Sequence, residues 1–176
     1  MSEPVIRPAA PADAPAMATL GLRTFLHTFV EDFAIPYPAH DLDPFVAKHF
    51  SEAAFAAEIA DSETGVWVAE GEDGSLLGYA TAGKCALPHP DASAADGELK
   101  RLYLDRPAQG SGLAPRLMET VLTWLAARDG GPLWLGVWSG NLRAQRFYAR
   151  YGFVKAGEYD YRVGASVDHE FILRRG

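Results

Sequence analysis

The sequence predicts a single domain, spanning residues 1–176, in which a mixed β-sheet packs between helices. Three observations predict it. The chain has the length of one ordinary domain, and its hydrophobic fraction of 48% suffices for a full core. Some apolar runs are joined by a short Asp-Gly turn, which favours antiparallel hairpins. Others are joined by segments of helical periodicity, which favours helices on the faces of the sheet.

The elements of the N-terminal half follow from local signals. Residues 5–7 form a short first strand. Asp13 is the predicted N-cap of a helix over residues 14–30, whose apolar side chains recur at helical spacing. Residues 31–44 form a loop rich in proline, aromatic and acidic residues, and a second helix covers residues 45–59.

The C-terminal half combines strands and helices. Strands are predicted at residues 65–70, 76–82, 98–104 and 133–138. Helices are predicted at residues 112–128 and 142–150. The turn at Asp73 and Gly74 joins the first two strands, and Gly130 is a natural stop for the first helix. Asn141 caps the second helix, and Phe153 starts the last strands.

Composition and charge narrow the function classes. The net charge of −7 argues against nucleic-acid binding, which needs clustered Lys and Arg. It suits a cationic substrate, although solubility alone also explains an acidic balance. Cys85 is the single cysteine, expected in the core, and no histidine stands at metal-ligand spacing, so neither a disulfide nor a metal site is expected. Without a signal-like N-terminus or a membrane-length apolar run, we expect a cytoplasmic protein with no membrane partner.

The most specific local feature is the glycine-rich turn at residues 106–114, which joins a strand to a helix. The first N–H groups of a helix lack partners inside it, and the helix dipole favours an anion there. Gly110, Gly112 and Ala114 are small enough for a pyrophosphate to approach the backbone. A P-loop needs a Gly-Lys-Ser/Thr sequence that is missing here, and a dinucleotide fingerprint needs a third glycine where Pro115 stands. A turn that binds no ligand remains an alternative.

Two segments together resemble the signature of the GNAT acetyltransferase superfamily. The acetyl-CoA motif of that superfamily is similar to Gln109-x-x-Gly112-x-Ala114. Its second segment is similar to Asn141-x-x-Ala144-x-x-Phe147-Tyr148-x-x-x-Gly152-Phe153. The order and the distance of the two segments also match. The resemblance spans nearly the whole chain and is strongest over residues 98–153, and separate motifs in the right order are more specific than either alone.

The resemblance implies an α+β fold of three layers, α/β/α, with a mixed, mostly antiparallel sheet of six to seven strands. The strands at 98–104 and 133–138 would splay apart and hold the thioester arm of acetyl-CoA between them. The cofactor-binding residues that it implies are Leu102, Tyr103, Leu104, Gln109, Gly110, Ser111, Gly112, Leu113, Ala114 and Asn141. Pro115 departs from the family pattern because it cannot donate a backbone N–H, which removes one donor from the phosphate cradle.

Acetyl transfer from a thioester to an amine needs a base for the ammonium, donors for the carbonyl oxygen and an acid for the departing thiolate. Tyr148 stands where the family commonly places this acid. Glu98, at the start of the central strand, is the candidate base, directly or through water, and a backbone N–H near Leu102 is the candidate donor. A core aromatic is the alternative for Tyr148, and a surface glutamate is the alternative for Glu98.

In GNAT proteins the region corresponding to residues 24–43 commonly forms one wall of the acceptor pocket. Its acids and aromatics suit a cationic amine. The candidate substrate-binding residues are Phe29, Glu31, Asp32 and Tyr37. The pattern is similar to the polyamine N-acetyltransferase branch, although an acidic loop is more often merely solvated.

We therefore predict an N-acetyltransferase that moves the acetyl group of acetyl-CoA to a primary amine of a small molecule within a ternary complex. The alternative is a non-catalytic module of the same fold that binds acyl-CoA. A homodimer is common in the superfamily, and the sequence carries no signature of an interface.

Overall fold

The computed structural model describes residues 3–128 and 131–176 and is built around one seven-stranded sheet with the order β1-β2-β3-β4-β5-β7-β6. The strands are Val5–Pro8, Gly65–Glu70, Leu76–Lys84, Gly97–Leu104, Leu133–Trp138, Val154–Val163 and Ser166–Arg175, numbered β1 to β7. Only β4 and β5 pair in parallel, and the other neighbours pair antiparallel. The predicted α+β class with a mixed, mostly antiparallel sheet is therefore confirmed.

In the described residues, five α-helices flank the sheet: Ala14–Phe25, Ala39–His49, Glu52–Ala60, Leu113–Ala126 and Leu142–Ala149, numbered α1 to α5. The first helix continues as a π-helical segment, Leu26–Asp32. Asp13 precedes α1, but its carboxylate accepts from the N–H of Ala10 at 2.7 Å and pairs with Arg7 at 2.8 Å instead of capping α1. The predicted stop at Gly130 lies outside the described residues.

The region between α1 and β2 differs from the prediction. Residues 39–44 are helical, not part of a loop, and the single helix predicted over 45–59 is two helices. Pro44 lies inside α2, where a proline removes one backbone donor but does not prevent a short helix held by tertiary contacts. The break after α2 is fixed by Ser51, whose hydroxyl accepts from the N–H of Ala54 at 3.2 Å and so starts α3.

The two faces of the sheet have separate cores, which gives three layers. On one face, the predicted apolar ridge of α4 is buried against the sheet, with Leu117 and Val121 fully covered. On the other face, α1 to α3 bury Met17 and Phe55 against β2 and β3. Cys85 is buried, as predicted, in a smaller cluster. Within the described ranges, no helix combines the length and the apolar character that a membrane crossing requires.

The sheet opens between its two parallel strands. Strands β4 and β5 pair only at Gly97 with Leu133 and at Glu98 with Trp134. Beyond this point β4 stays with β3 as far as Leu104, whereas β5 stays with β7. The strands thus diverge from a common origin, and the gap between them forms a passage from one face of the sheet to the other.

Candidate active site

The gap between β4 and β5 is part of a cavity of about 930 Å³. One end is lined by the glycine-rich turn at the start of α4, and the other by aromatic and acidic side chains from the π-helical segment, β6 and β7. Strand β4 runs along the cavity from Glu98 to Leu104, and α5 contributes Tyr148. A long ligand can therefore enter from the α4 side and meet a second ligand on the α1–α3 side.

The glycine-rich turn leaves open space above its backbone. Gly110 and Gly112 have φ values of 78° and 87°, a region that glycine adopts without strain. A Cβ at either position would meet no atom within 4 Å. Gly112 is the N-cap of α4, so the N–H groups of the first turn have no partner inside the helix. This open, donor-rich surface fits a diphosphate.

The other residues predicted in this turn contribute in different ways. Ala114 and Pro115 line the cavity. Ser111 uses its hydroxyl to donate to the carbonyl of Ala108 at 2.6 Å. Leu113 is 2% exposed, so its side chain belongs to the core and only its backbone N–H is available to a ligand. Pro115 has no N–H to offer, which leaves the cradle one donor short.

Gln109 and Asn141 hold the walls of the passage together. The side-chain amide of Gln109 donates to the carbonyl of Leu104 at 3.5 Å, and its oxygen accepts from Arg143 at 3.0 Å. Gln109 thus links β4, the turn and α5. Asn141 accepts from the N–H of Ala144 at 3.0 Å and caps α5, as predicted. Both line the cavity, so both are positioned to contact a cofactor.

The register of β4 decides which of its backbone groups are free. The N–H of Asp105 donates to the carbonyl of Leu77 at 2.9 Å, and Leu104 stands opposite Gly78. Because an antiparallel ladder alternates, the N–H and C=O groups of Leu102 and Leu104 point away from β3, into the gap. Tyr103 differs from the prediction in this respect. Its backbone groups face β3, and its ring lies on the other face of the sheet, 6.5 Å from the ring of Phe29.

Tyr148 lies in α5 and is partly buried between Phe147 and Phe153, with ring centroids 5.4 and 6.2 Å away. Burial raises the pKa of its hydroxyl to about 12, so the phenol keeps its proton at neutral pH. Its hydroxyl makes no hydrogen bond to any residue in the described part of the chain. Tyr148 lines the cavity, so its phenol is available to a ligand bound there.

Glu98 is 8% exposed and lies where β4 and β5 separate, which rules out the surface alternative. Its Oε2 accepts from the N–H of Ala86 at 2.8 Å and from the ammonium of Lys100 at 3.3 Å. The carboxylate therefore lines the inner end of the cavity with one oxygen already engaged by two donors.

The predicted substrate-binding residues divide into two groups. Phe29 and Tyr37 line the cavity. Glu31 and Asp32 instead bind Arg106, at 3.0 and 2.5 Å, and both carboxylate side chains are about half exposed. Asp32 reaches the edge of the cavity, whereas Glu31 is not among its lining residues. Both acids of the π-helical turn thus face the Arg106 guanidinium, next to the glycine-rich turn, and the contact of Glu31 with a substrate stays a prediction.

Two acids that the sequence reasoning missed line the end of the cavity opposite the glycine-rich turn. Asp168 accepts a short hydrogen bond from the hydroxyl of Tyr37, and Glu170 accepts from Tyr159 at 2.7 Å. Burial raises the pKa of both carboxyl groups above the usual range. Neither forms an ion pair with any cation in residues 3–128 and 131–176. The sequence does carry a signal for these two acids. Side chains alternate between the two faces of β7, which puts both acids on the same face as the buried Ile172.

Comparison with known proteins agrees with this arrangement. The family model of the acetyltransferase (GNAT) family matches residues 23–153. An uncharacterized N-acetyltransferase of Mycobacterium tuberculosis is 36% identical over 165 residues, which are 93% of this chain and 97% of the relative. A spermine/spermidine N(1)-acetyltransferase of Bacillus subtilis is 30% identical over 92 residues, covering 51% of this chain and 59% of the relative.

Among solved structures, an N-acetyltransferase of Thermoplasma acidophilum in complex with coenzyme A superposes with a TM-score of 0.75. The match covers 99% of both chains at 18% identity, so it shows a shared fold. The splayed strands, the glycine-rich turn and the match of the family model over most of the sequence lead to one conclusion: the chain belongs to the GNAT family of acetyltransferases.

Proposed function

We propose that this protein transfers the acetyl group of acetyl-CoA to a primary amine of a small molecule while both substrates are bound. The observation that carries the proposal is the continuous cavity that joins the turn at Gly110 and Gly112, the gap between β4 and β5, and the acidic aromatic pocket. The family membership and the coenzyme A complex of the Thermoplasma acidophilum protein support the identity of the donor.

The donor would be held by backbone groups. The N–H groups at the start of α4 would bind its diphosphate, and Gly110 and Gly112 would allow the close approach. The free backbone groups of Leu102 and Leu104 would pair with the amides of pantetheine as an added strand does. Acetyl-CoA supplies an activated thioester, and the N–H near Leu102 would donate to its carbonyl oxygen as negative charge develops.

Two side chains would move protons. Tyr148, whose raised pKa keeps it protonated, would donate its proton to the departing sulfur. Glu98 lies at the inner end of the cavity and would accept the proton released by the amine, through an intermediary since its Oε2 is engaged. Both residues would act where the two substrates meet. The gap in the sheet leaves that place accessible from either face.

The acceptor is proposed to be cationic. Aromatic rings, the buried Asp168 and the partly buried Glu170 line the acceptor end, and neither acid has a cationic partner among the described residues. Such carboxylates favour a bound cation. The name of the Bacillus subtilis relative supports a polyamine as the acceptor class. Aliphatic diamines and polyamines are therefore the first acceptors to supply.

Thermal denaturation with ligands tests the donor. At a concentration of about 100 times Kd, acetyl-CoA stabilises the folded state by about 2.7 kcal/mol. For a domain of this size, we expect a rise in Tm of about 5 to 10 °C. NAD at the same concentration is the control and should leave Tm unchanged. Stabilisation by NAD and not by CoA would contradict the proposal.

Release of free CoA tests the transfer itself. We expect thiol to appear when acetyl-CoA is supplied with diamines and polyamines, and not with acetyl-CoA alone. Tight binding of acetyl-CoA without turnover across polyamines, amino acids, aminoglycosides and peptides would instead favour the non-catalytic binding module.

A further inference from the structure

We propose that Glu170 is the catalytic carboxylate that removes the proton from the acceptor's ammonium group, with Tyr159 positioning it. The inference rests on the proposed function and assigns a step that the sequence reasoning gave to Glu98 alone. In this arrangement Glu170 receives the proton first, and Glu98 lies elsewhere in the lining of the same cavity.

The position of Glu170 places it beside the splayed gap. It stands opposite Trp138, the last residue of β5, and its side chain extends back over Gly136. A Cβ added at Gly136 would lie 3.0 Å from Oε2 of Glu170 and 2.7 Å from the hydroxyl of Tyr159. Gly136 belongs to the part of β5 that no longer pairs with β4. The carboxylate therefore overhangs the strand that borders the passage, on the side of the acceptor pocket.

Tyr103, Tyr148 and Glu170 line the same cavity. Burial raises the pKa of the Tyr103 phenol well above its usual value, so this phenol is protonated at neutral pH. Glu170 and the proposed proton donor of the thiolate therefore border one continuous space in which the acceptor and the thioester can meet.

The surroundings of Glu170 suit a base. Its only hydrogen-bond donor among the described side chains is Tyr159, at 2.7 Å. Burial raises the pKa of the Glu170 carboxyl group, against the lowering effect of the Tyr159 hydrogen bond and with a smaller contribution from the charge of Asp168. The raised pKa makes Glu170 a stronger proton acceptor than an exposed glutamate. The phenols of Tyr37, Tyr103 and Tyr161 also face its charge. All of these phenols are protonated at neutral pH, so none competes with Glu170 as the base.

Asp168 is better suited to binding than to proton removal. It lies two residues before Glu170 on the same face of β7, beyond the last pair between β5 and β7. Its carboxylate is held by Tyr37 from the acceptor side. Asp168 thus provides a matched comparison: an acid in the same strand, equally without a cationic partner in the described chain, but farther from the gap.

The step balances as follows. The ammonium group gives one proton to the Glu170 carboxylate and becomes a neutral amine. Its nitrogen lone pair forms the bond to the thioester carbon, the carbon–sulfur bond breaks, and that electron pair leaves on sulfur. The thiolate takes the proton of Tyr148, which leaves a phenolate. The nitrogen still carries one proton more than a neutral amide does, and it gives that proton to the Tyr148 phenolate. Glu170 then releases its proton to solvent, so one proton is released for each acetyl group transferred.

The test compares Glu170→Gln with Asp168→Asn and Glu98→Gln, using acetyl-CoA and a diamine. We expect Glu170→Gln to lower kcat by about 100-fold at pH 7, because the amide keeps the shape of the side chain but accepts no proton. In Glu170→Gln, the acidic limb of the pH profile of kcat/KM, which is the pH below which kcat/KM falls, should move up to the pKa of the amine itself. Asp168→Asn should mainly raise KM for the amine, and Glu98→Gln should keep the position of the limb.

An acceptor of low pKa sharpens the test. A weakly basic amine, such as trifluoroethylamine, is already neutral at pH 7 and needs no base to expose its lone pair. The loss of kcat in Glu170→Gln should therefore shrink to a few-fold with this acceptor. If Glu170→Gln keeps its kcat and changes only KM, or if Glu98→Gln alone moves the limb, the inference is overturned. A wild-type protein that transfers to no amine would instead contradict the proposed function.

Folding of the variant can be checked independently. The folded-state pKa of Glu170 is raised, so the folded state binds its proton more tightly than the unfolded state does. The Glu170 carboxyl group therefore contributes to stability at pH values below its pKa in the unfolded state. This contribution is lost as the pH rises through its pKa in the folded state. Removing the charge by Glu170→Gln should therefore leave Tm at pH 7 equal to or above that of the wild type. The rise in Tm with CoA should also be retained, which separates lost catalysis from lost structure.

Discussion

Replacing Tyr148 by phenylalanine is expected to lower kcat by about 100-fold or more, because the departing thiolate loses its proton donor. The ring packing against Phe147 and Phe153 is kept, since only the hydroxyl is removed. That hydroxyl has no hydrogen-bond partner in the described part of the chain, so its removal leaves no buried group unsatisfied. CoA release under saturating acetyl-CoA and amine measures the change in kcat.

Tyr151→Phe is the matched control, one turn further along the chain. Tyr151 packs against the same Phe147, at 5.2 Å between ring centroids, but it does not line the cavity. We expect its kcat to stay within about two-fold of the wild type, as for a surface substitution. The Tm shift with CoA should be the same in both variants. Equal activity of Tyr148→Phe and Tyr151→Phe would remove Tyr148 from the mechanism.

Gly112→Ala is expected to weaken CoA binding by about 10- to 100-fold, as when a charged hydrogen bond worth about 1.5 to 3 kcal/mol is lost. The space above Gly112 is open, so the added methyl group would occupy the position from which a diphosphate reaches the backbone N–H groups. The positive φ of 87° adds a folding cost of about 1 to 2 kcal/mol. Isothermal titration with CoA separates the two effects.

Gly74→Ala supplies the matched control for this backbone strain. Gly74 has a φ of 80°, and a Cβ there also meets no atom within 4 Å. It lies in the turn between β2 and β3, away from the cavity. Both variants should therefore lose a similar amount of Tm, and only Gly112→Ala should lose affinity for CoA. If the two variants bind CoA equally well, the diphosphate does not lie at Gly112.

The parts of the fold that the sequence predicts are those fixed by local chemistry. The turn at Gly74, the capping of α5 by Asn141 and the apolar ridge of α4 were each predicted within a few residues of the observed bounds. A positive φ, a helix cap and a spacing of four residues act over short stretches of chain. They therefore leave a signal in the sequence that needs no knowledge of the tertiary structure.

The parts that were missed depend on tertiary contacts. A proline at position 44 argues for a loop, yet α2 is held in place by Asp41, whose carboxylate accepts from the N–H of Ala165 at 2.8 Å and from the hydroxyl of Ser166 at 2.9 Å. These partners are more than 120 residues away in sequence. No local pattern could have indicated this contact.

The candidate site divides in the same way. The resemblance pointed to the glycine-rich turn and to β4, which are contiguous in sequence and line one part of the cavity. The acceptor end combines the π-helical segment with β6 and β7, and its acids come from the last strand. Glu31 and Asp32 had the right chemistry, but Arg106 binds both. Charge in a sequence indicates an acidic site, and only the fold decides which acids remain available.

The short contact between β4 and β5 has a consequence for deuterium uptake. Because only two residue pairs join these strands, the amide hydrogens of Leu102 and Leu104 have no partner across the gap and should exchange rapidly in the free protein. Occupation of the gap by pantetheine would complete the missing ladder. The protein would thus acquire its last β-sheet hydrogen bonds from its substrate, and protection at these two amides would appear and disappear with each catalytic cycle.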